Sequence, residues 1–385
     1  MKVLGVFFTR GVSLNQWLET GLFDREVLIY HAHLDSGFFS KIYWFTYGDD
    51  DAVQAKRLYD SGRLSRKIEV VGCPRWFRLS GRANSALYSL MLPAFSRNQV
   101  SDCDVFKTNQ MDGSITALIC GLIWRRPIYV RTGFTLSRAV KKTSPRNWLR
   151  HSIAFMNELL AFRFAGATAV TSRFDANYVI QRYGDKISSQ LTIVGNYVDT
   201  KLFSPSILKV SKGNRLLYVG RLSPQKNLDN AIAACALVGL GLDIVGAGGE
   251  LSRLKEIAAN CKANVRWLGV IPNKQLPDLF HSYRYFILPS LWEGLPKSLI
   301  EAMSAGLVCI GNDTTGINEI IEDGVTGYLS PSYDEAALAK TLMRALAGDY
   351  ESISKSGKEF VCREFSLESI AEKEQAIFKK LLLSQ

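Results

Sequence analysis

The sequence predicts an α/β protein that is built from two doubly wound parallel sheets. Short apolar segments alternate with longer segments of helical spacing along most of the 385 residues. Several apolar segments are nearly continuous, which is typical of parallel strands covered by helices on both faces. The alternation lapses once, over residues 199–214, where Pro, Ser, Gly and Lys are frequent. These observations indicate two α/β domains joined by a short linker.

Seven strands are expected in the first half of the chain and six in the second. The first seven are 3–8, 42–47, 67–72, 104–109, 127–132, 167–172 and 191–196. The other six are 215–220, 242–246, 265–269, 285–290, 307–312 and 327–330. Segments of helical spacing separate them. We therefore expect a first domain over residues 1–203, a second over 204–365, and a terminal amphipathic helix over 366–385 that crosses back to the first domain.

The composition excludes several classes of protein. With 47% hydrophobic and 22% charged residues, the chain is globular. The seven cysteines never occur at C-x-x-C spacing, which argues against a zinc or redox site and suits a reducing compartment. The longest apolar runs, such as 115–124, are shorter than the ~20 residues of a membrane-spanning helix, and the N-terminus does not resemble a signal peptide. We expect a cytoplasmic protein that at most lies on the inner face of the cytoplasmic membrane.

The charge is unevenly distributed along the chain. Residues 1–200 contain 26 Lys and Arg against 16 Asp and Glu, whereas residues 201–385 contain 21 against 20. No carboxylate occurs between Asp112 and Glu158. The basic residues of that stretch are Arg125, Arg126, Arg131, Arg138, Lys141, Lys142, Arg146 and Arg150. Such a field attracts anions, for example phospholipid headgroups, nucleic acid or a phosphorylated substrate. An ordinary basic surface is the alternative.

Tryptophan and arginine are interleaved at residues 75–78 (RWFR) and 147–150 (NWLR). On an RNA-binding protein such residues would stack on bases, but no nucleic-acid-binding motif accompanies them, and no nucleic-acid partner is expected. The pattern also suits the interface of an anionic membrane. Ordinary core packing of Trp76 and Trp148 is the third interpretation.

The candidate site lies in the second half of the chain. After strand 215–220, the loop RLSPQKN brings Arg221 and Lys226 to the start of a helix. A helix N-terminus that follows a parallel strand is an anion site, and the two cations could bind a diphosphate there. A basic, solvent-exposed loop is the alternative.

A second signal is the segment WEGLPKSLIEAMSAG, in which Glu293 and Glu301 are eight residues apart. Glu293 precedes a turn, and Glu301 lies in the helix that follows. Carboxylates at the carboxyl ends of parallel strands face the ligand crevice of an open α/β sheet and can accept hydrogen bonds from hydroxyl groups. Two surface charges are the alternative for this pair taken alone.

Together these segments resemble a known family. LLYVGRLSPQKNLDNAI, DIVGAGGE, FILPSLWEGLPKSLIEAMSAG and NDTTGINEIIEDGVTGYL occur in the order and spacing of the group 1 retaining nucleotide-sugar glycosyltransferases, family 4 of the sequence classification. The resemblance covers residues 191–370 well and the first half more weakly. It implies the GT-B fold, in which two Rossmann-like domains face each other across a cleft.

The resemblance also implies an activity. Members of the family move a sugar from a nucleoside diphosphate donor to a saccharide or lipid-linked saccharide acceptor, with retention of configuration, in bacterial-type surface polysaccharide or glycolipid biosynthesis. Arg221 and Lys226 would neutralise the donor diphosphate, Glu293 would contact the transferred sugar, and Glu301 would bind the ribose hydroxyls. The other expected donor-side positions are Gly11, Ile271, Gly294, Leu295 and Pro296.

The sequence departs from the family on the acceptor side. Many members carry a histidine at the end of a first-domain strand, whereas the corresponding stretch, 129–137, has none. Arg131 and Thr132 are the residues expected near the acceptor instead. No cofactor or metal is expected. The acidic pair Asp102 and Asp104 is interpreted as part of a strand-capping loop, and the acidic triplet at 49–51 as a helix start.

Two alternatives remain at this point. One is a non-catalytic glycan- or membrane-binding subunit that retains the fold. The other is a sugar-nucleotide epimerase on the same fold, because a fold does not fix a function.

Overall fold

The chain forms two compact units, each around its own parallel sheet. The computed structural model describes residues 2–77, 82–133, 137, 148–204, 213 and 215–383. The first unit comprises Met1–Val194 with Ala371–Gln385, and the second comprises Gly195–Ile370.

These divisions differ from the junctions expected at 203/204 and 365/366. The reason is local pairing, since Val198 donates its amide to the carbonyl of Phe365 at 2.9 Å and accepts from the amide of Leu367 at 3.1 Å. Most of the expected linker, residues 205–212 and 214, lies outside the described part of the chain.

The sheet of the first unit has seven parallel strands in the order β3-β2-β1-β4-β5-β6-β7. They are β1 Val3–Phe7, β2 Lys41–Phe45, β3 Ile68–Val71, β4 Val105–Thr108, β5 Ile128–Thr132, β6 Ala167–Val170 and β7 Leu191–Ile193. The central strands are buried along almost their whole length, because helices cover both faces of the sheet.

The helices of the first unit connect these strands. They are Leu14–Glu19, Phe23–Glu26, Leu28–Asp35, Asp51–Asp60, Arg82–Phe95, Arg97–Asp102, Ser114–Trp124, Trp148–Phe164 and Arg173–Tyr183. Two begin with a serine whose hydroxyl accepts a backbone amide of the first turn, Ser13 from Gln16 and Ser172 from Asp175. Such caps satisfy amides that have no partner within the helix.

The sheet of the second unit has six parallel strands in the order β10-β9-β8-β11-β12-β13. They are β8 Arg215–Val219, β9 Gly241–Val245, β10 Val265–Gly269, β11 Tyr285–Leu288, β12 Val308–Asn312 and β13 Tyr328–Ser330. The helices are Thr200–Phe203, Leu228–Leu237, Leu251–Asn260, Leu276–Phe280, Lys297–Ser304, Glu335–Ala347 and Tyr350–Phe365. A last helix, Leu367–Leu383, contributes its residues from 371 onward to the first unit.

The predicted α/β class with two doubly wound parallel sheets is confirmed. All thirteen expected strands are present, and most are one to three residues shorter at their carboxyl ends than the apolar runs. Both acidic segments have the expected structural positions: Asp104 accepts the amide of Val3 at 2.7 Å, and Asp51 begins the helix Asp51–Asp60.

The interpretation of Trp76 and Trp148 as core residues is wrong. Their side chains are 73% and 75% exposed, because they lie on loops and helix ends at the outside of the first unit. In the part of the chain that the structure describes, no helix is long and apolar enough to cross a membrane.

Candidate active site

The strand order of the second sheet places the two predicted motifs side by side. The order reverses between β8 and β11, which are neighbours in the sheet. Ligands of open α/β sheets bind outside the carboxyl ends of the strands at such a reversal. Residues 220–227 follow β8, and residues 289–296 follow β11. The topology therefore brings Arg221, Lys226 and Glu293 to one edge of the sheet.

Lys226 and Glu293 form an ion pair at this edge. Nζ of Lys226 donates to Oε1 of Glu293 at 2.5 Å, and the two side chains are 15% and 9% exposed. The loops are also joined beside the pair, since Gln225 donates its side-chain amide to the carbonyl of Trp292 at 2.6 Å. The sequence predicted separate roles for the two residues and did not predict this pairing.

Arg221 is exposed at the start of the same loop. Its backbone carbonyl accepts the hydroxyl of Tyr218 at 3.0 Å, which fixes the turn after β8. Burial raises the pKa of Tyr218, and the charge of Glu293 raises it further against the opposing charge of Arg221. The phenol consequently stays protonated and remains a donor.

Gly316 shapes the turn at Glu293 and was not predicted from the sequence. Its φ is +81°, and a Cβ built on it would overlap the carbonyl oxygen of Gly294. The amide of Glu293 donates to the carbonyl of Thr315 at 3.0 Å. A side chain at position 316 would therefore push away the turn that carries the carboxylate, and the φ value alone favours glycine.

The remainder of the turn leads into the helix that carries Glu301. Leu295 is buried, and its carbonyl accepts the side-chain amide of Asn196 at 2.8 Å. Pro296 immediately precedes the helix Lys297–Ser304, where its fixed φ suits the helix start. Glu301 is half-buried in the middle of this helix.

Ile271 lies beyond β10, the edge strand of the second sheet. Its side chain is half-buried and packs against the core of that sheet. The structure thus places the residues of the second unit that were expected on the donor side on loops after β8, β10 and β11 and on the helix that follows β11.

Gly11 lies in the loop after β1, where the strand order of the first sheet reverses between β1 and β4. Its φ is +78°, and the residue is exposed. The neighbouring Arg10 donates through Nη2 to Oδ1 of Asp112 at 2.8 Å, which joins the loop after β1 to the loop after β4. The position has the backbone conformation that only glycine adopts without strain.

Arg131 and Thr132 end β5, and Thr132 is buried. Nε of Arg131 lies 4.0 Å from Oε1 of Glu374, a residue of the last helix. The other carboxylate oxygen of Glu374 accepts Nζ of Lys107 at 2.6 Å and contacts Nε2 of His33 at 3.0 Å. Arg131 therefore belongs to a buried charge cluster within the first unit. Residues 134–136 of the same stretch lie outside the described part.

Glu374 is ionised in this cluster. Burial alone would raise its pKa, but the ammonium of Lys107 and the hydrogen bond from His33 outweigh burial and hold the pKa at about 2. The cluster could not be predicted from the sequence, because its members are up to 341 residues apart in the chain.

A second buried carboxylate, Asp243, lies on β9. It accepts Nε of Arg215 and Nε of Arg266, each at 2.8 Å, and the hydroxyl of Tyr283. Burial opposes ionisation, but the hydrogen bonds from Arg266, Arg215 and Tyr283 lower the pKa to about 2. Asp243 ties three strands and a loop of the second unit together and lies outside the predicted site.

Metal ligands are not gathered at these positions. Among the residues that the structure describes, no group of three or more His, Cys, Asp or Glu side chains is placed to hold a metal ion. The cationic groups at the candidate site are Arg221 and Lys226.

Comparison with protein families gives one match. Residues 199–360 match the family described as Glycosyl transferases group 1. The matched region contains Arg221, Lys226, Ile271, Glu293 and Glu301, so the residues of the candidate site in the second unit all lie inside it.

Two curated relatives each resemble a part of the chain. The amylovoran biosynthesis glycosyltransferase AmsK of Erwinia amylovora is 33% identical over 152 residues, which is 36% of this chain and 37% of the relative. The UDP-Gal:alpha-D-GlcNAc-diphosphoundecaprenol alpha-1,3-galactosyltransferase of Escherichia coli is 31% identical over 175 residues, 40% of this chain and 45% of the relative. The similarity thus spans less than half the length of either relative.

Solved structures resemble the chain over almost its full length. Anabaena HepE, crystallised in complex with UDP, has a TM-score of 0.75 and 19% identity, with 99% of this chain and all of HepE covered. A sucrose-phosphate synthase from Thermosynechococcus elongatus has a TM-score of 0.73 and 19% identity and covers both chains fully. The expected GT-B fold class is confirmed by these neighbours.

Proposed function

Because residues 199–360 match the family described as Glycosyl transferases group 1, we propose that the protein is a retaining glycosyltransferase. It transfers a sugar from a nucleoside diphosphate donor to a saccharide or lipid-linked saccharide. The observation that carries the proposal is the ion pair of Lys226 and Glu293, next to Arg221, at the strand-order reversal of a domain of that family.

Arg221 and Lys226 bind the donor diphosphate in this proposal. The diphosphate is also the leaving group, and its negative charge increases as the bond to the sugar breaks. Cations that are already in place stabilise this charge without further reorganisation. Lys226 is held by Glu293 before the donor arrives, so part of the entropy of ordering its side chain is lost in the free protein.

Glu293 and Glu301 bind hydroxyl groups of the donor. The carboxylate of Glu293 accepts one bond from Lys226 through Oε1, and a carboxylate has further lone pairs that can accept from a sugar hydroxyl. Glu301 accepts from the ribose. The backbone of Gly294 and Leu295 lines the sugar and phosphate, and Ile271 lies against the base.

The reaction breaks the bond between the anomeric carbon and the diphosphate oxygen. It forms the bond between that carbon and the acceptor oxygen on the same face of the sugar. The proton of the acceptor hydroxyl moves to the departing diphosphate, so the chemistry needs neither a protein general base nor a metal ion. In the first unit, Gly11 is assigned to donor binding, and Arg131 and Thr132 are assigned to acceptor binding.

The acceptor is a saccharide on a lipid diphosphate carrier or a growing surface glycan. The name of the Escherichia coli relative specifies a diphosphoundecaprenol-linked sugar as that enzyme's acceptor. A lipid-linked acceptor places this reaction at the cytoplasmic face of a membrane. We do not favour the alternatives of a non-catalytic subunit and an epimerase, because the chain matches a glycosyltransferase family and relatives named for glycosyl transfer or synthesis.

A transfer assay tests the proposal. The protein is incubated with UDP-, GDP-, ADP- and dTDP-sugars, and release of the free nucleoside diphosphate is followed with and without a lipid-linked saccharide. Proton NMR of the product reports the anomeric configuration. Addition of a chelator tests whether the reaction requires a metal ion. Release from one donor, retention and indifference to the chelator are expected. The proposed transferase activity would be refuted if no donor released its nucleoside diphosphate while a melting curve showed that the protein was folded.

A further inference from the structure

The helix Trp148–Phe164 carries a stripe of apolar residues on its outer side. Its outer residues Leu149, Ile153, Met156, Leu160 and Phe164 follow each other at spacings of three or four and form one stripe along the helix. They are 36% to 65% exposed. A surface helix of a globular protein normally presents charged and polar residues on this side.

The neighbouring helix continues the apolar surface. Ser114–Trp124 packs beside Trp148–Phe164 and exposes Leu122 and Ile123, which are 83% and 58% accessible. We call the stripe on Trp148–Phe164 together with Leu122 and Ile123 the outer helical face. A large apolar patch that stays exposed on a folded protein marks a site of interaction.

The chain segment that contains both helices has almost no negative charge. Residues 113–164 contain a single carboxylate, Glu158. That carboxylate is buried, with Oε1 accepting the amide of Ser137 at 3.0 Å and Oε2 accepting the hydroxyl of Tyr183 at 2.5 Å. It therefore contributes no exposed negative charge to the two helices.

Exposed arginines border the same face. Arg150 and Arg163 lie on the helix Trp148–Phe164, and Arg125 directly follows the helix Ser114–Trp124. Trp148, with its large exposed indole, lies at the start of the stripe. Apolar residues on one side, flanked by arginine and tryptophan, are the composition of helices that lie in the interface of an anionic bilayer.

A cavity of about 870 Å³ lies at the starts of β5 and β6, next to the end of Ser114–Trp124. Arg125, Arg126 and Lys380 line it, and no carboxylate occurs among the described residues of its wall. The cavity therefore has the charge of a site for a phosphate group at the border of the apolar surface.

We propose that the outer helical face docks on an anionic phospholipid bilayer. Its apolar side chains enter the headgroup region, while the arginines and the cavity at its border contact lipid phosphates. The charge complementarity favours this occupant over a neutral apolar partner. The inference rests on the first unit alone and does not depend on the proposed transferase activity.

Sedimentation with lipid vesicles tests the proposal. The full chain is mixed with vesicles of phosphatidylcholine alone or of phosphatidylcholine with phosphatidylglycerol. The variant carries Ile153→Ser and Met156→Ser, both at exposed positions. The control carries Leu237→Ser and Met343→Ser, which are exposed apolar residues of the second unit. The unchanged chain and the control should bind the anionic vesicles, and the variant should bind at least roughly tenfold more weakly.

Three results would overturn the proposal. They are failure of the unchanged chain to bind anionic vesicles at low salt, equal binding of the variant and the control, or equal binding to both kinds of vesicle. Sedimentation velocity without lipid measures whether the chain forms a dimer. If the unchanged chain is a dimer, the variant is a monomer and neither binds vesicles, the occupant of the outer helical face is a second copy of the chain. Vesicle binding by a chain that releases no nucleoside diphosphate would separate this inference from the proposed activity.

Discussion

The ammonium of Lys226 lies 2.5 Å from Oε1 of Glu293, although 67 residues separate the two in the chain. The contact exists because β8 and β11 are neighbours in the sheet, so the loops after them meet. A cation and a carboxylate are thereby fixed at the place where open α/β sheets bind ligands. Under the proposed function, the pair positions the lysine for a phosphate and the glutamate for a hydroxyl.

Substitution of Lys226 by alanine should abolish most donor use. The diphosphate loses a preorganised cation, and Glu293 is left without its partner in a poorly exposed position. Loss of one such stabilising group lowers kcat by roughly two to three orders of magnitude. The rate of nucleoside diphosphate release measures the effect. Lys255→Ala, an exposed lysine of the helix Leu251–Asn260, is the control and should keep full activity. Equal rates for both variants would contradict the role of Lys226.

Gly316→Ala should weaken donor binding by displacing the turn at Glu293 and Gly294. The matched control is Gly324→Ala, because Gly324 has a similar φ of +74° but a Cβ there would meet nothing within 4 Å. Both variants bear a backbone strain of about 1 kcal/mol. Only Gly316→Ala should raise the dissociation constant for the donor, by roughly tenfold or more. Calorimetric titration of both variants with the donor measures these dissociation constants. Equal values for the two variants would contradict a role of the turn at Glu293 in donor binding.

Glu374→Gln should destabilise the first unit strongly. It leaves Lys107 buried without its carboxylate, which costs about 3 to 5 kcal/mol in comparable pairs. Glu372→Gln, an exposed position on the same helix, is the control and should change the free energy of unfolding by less than about 0.5 kcal/mol. Urea unfolding of both variants measures the difference. Similar unfolding curves would mean that the cluster does not hold the last helix to its unit.

Asp243 should make the second unit sensitive to acid. Its pKa falls from the usual 3.8 to about 2 in the folded chain, so the unfolded chain binds the proton more readily between these values. Its contribution, roughly 2 kcal/mol, is complete above about pH 5 and is lost as the pH falls towards 2. The free energy of unfolding of Asp243→Asn should therefore decrease less steeply between about pH 5 and pH 2 than that of the unchanged chain. Asp229→Asn, a partly exposed position, should leave the decline unchanged.

Much of the fold could be predicted because its signals are local. Each of the thirteen strands is an apolar run, and a parallel strand that is buried on both faces needs such a run. Arg221, Lys226 and Glu293 could be located for the same reason, since each follows a strand by a few residues. Strand order could not be read from periodicity, so the ion pair between Lys226 and Glu293 was not predicted.

The residues that were missed depend on distant parts of the chain. Gly316 matters only because its loop lies against Gly294, and one glycine among thirty carries no local signal of that kind. Glu374 reads as one more charge on an amphipathic helix, yet it is buried against Lys107. The position of Trp148 could not be predicted either, because an apolar residue at a helix start can face the core or the solvent.

Isothermal titration calorimetry with nucleoside diphosphates tests the donor site most directly. UDP, GDP, ADP and dTDP are titrated into the unchanged chain and into the variants Arg221→Ala and Glu301→Ala. We predict that one diphosphate binds the unchanged chain and that each variant binds it at least roughly tenfold more weakly, since a hydrogen bond to a charged group contributes about 1.5 to 3 kcal/mol. The account would be contradicted if no diphosphate bound at millimolar concentration, or if both variants bound it as tightly as the unchanged chain.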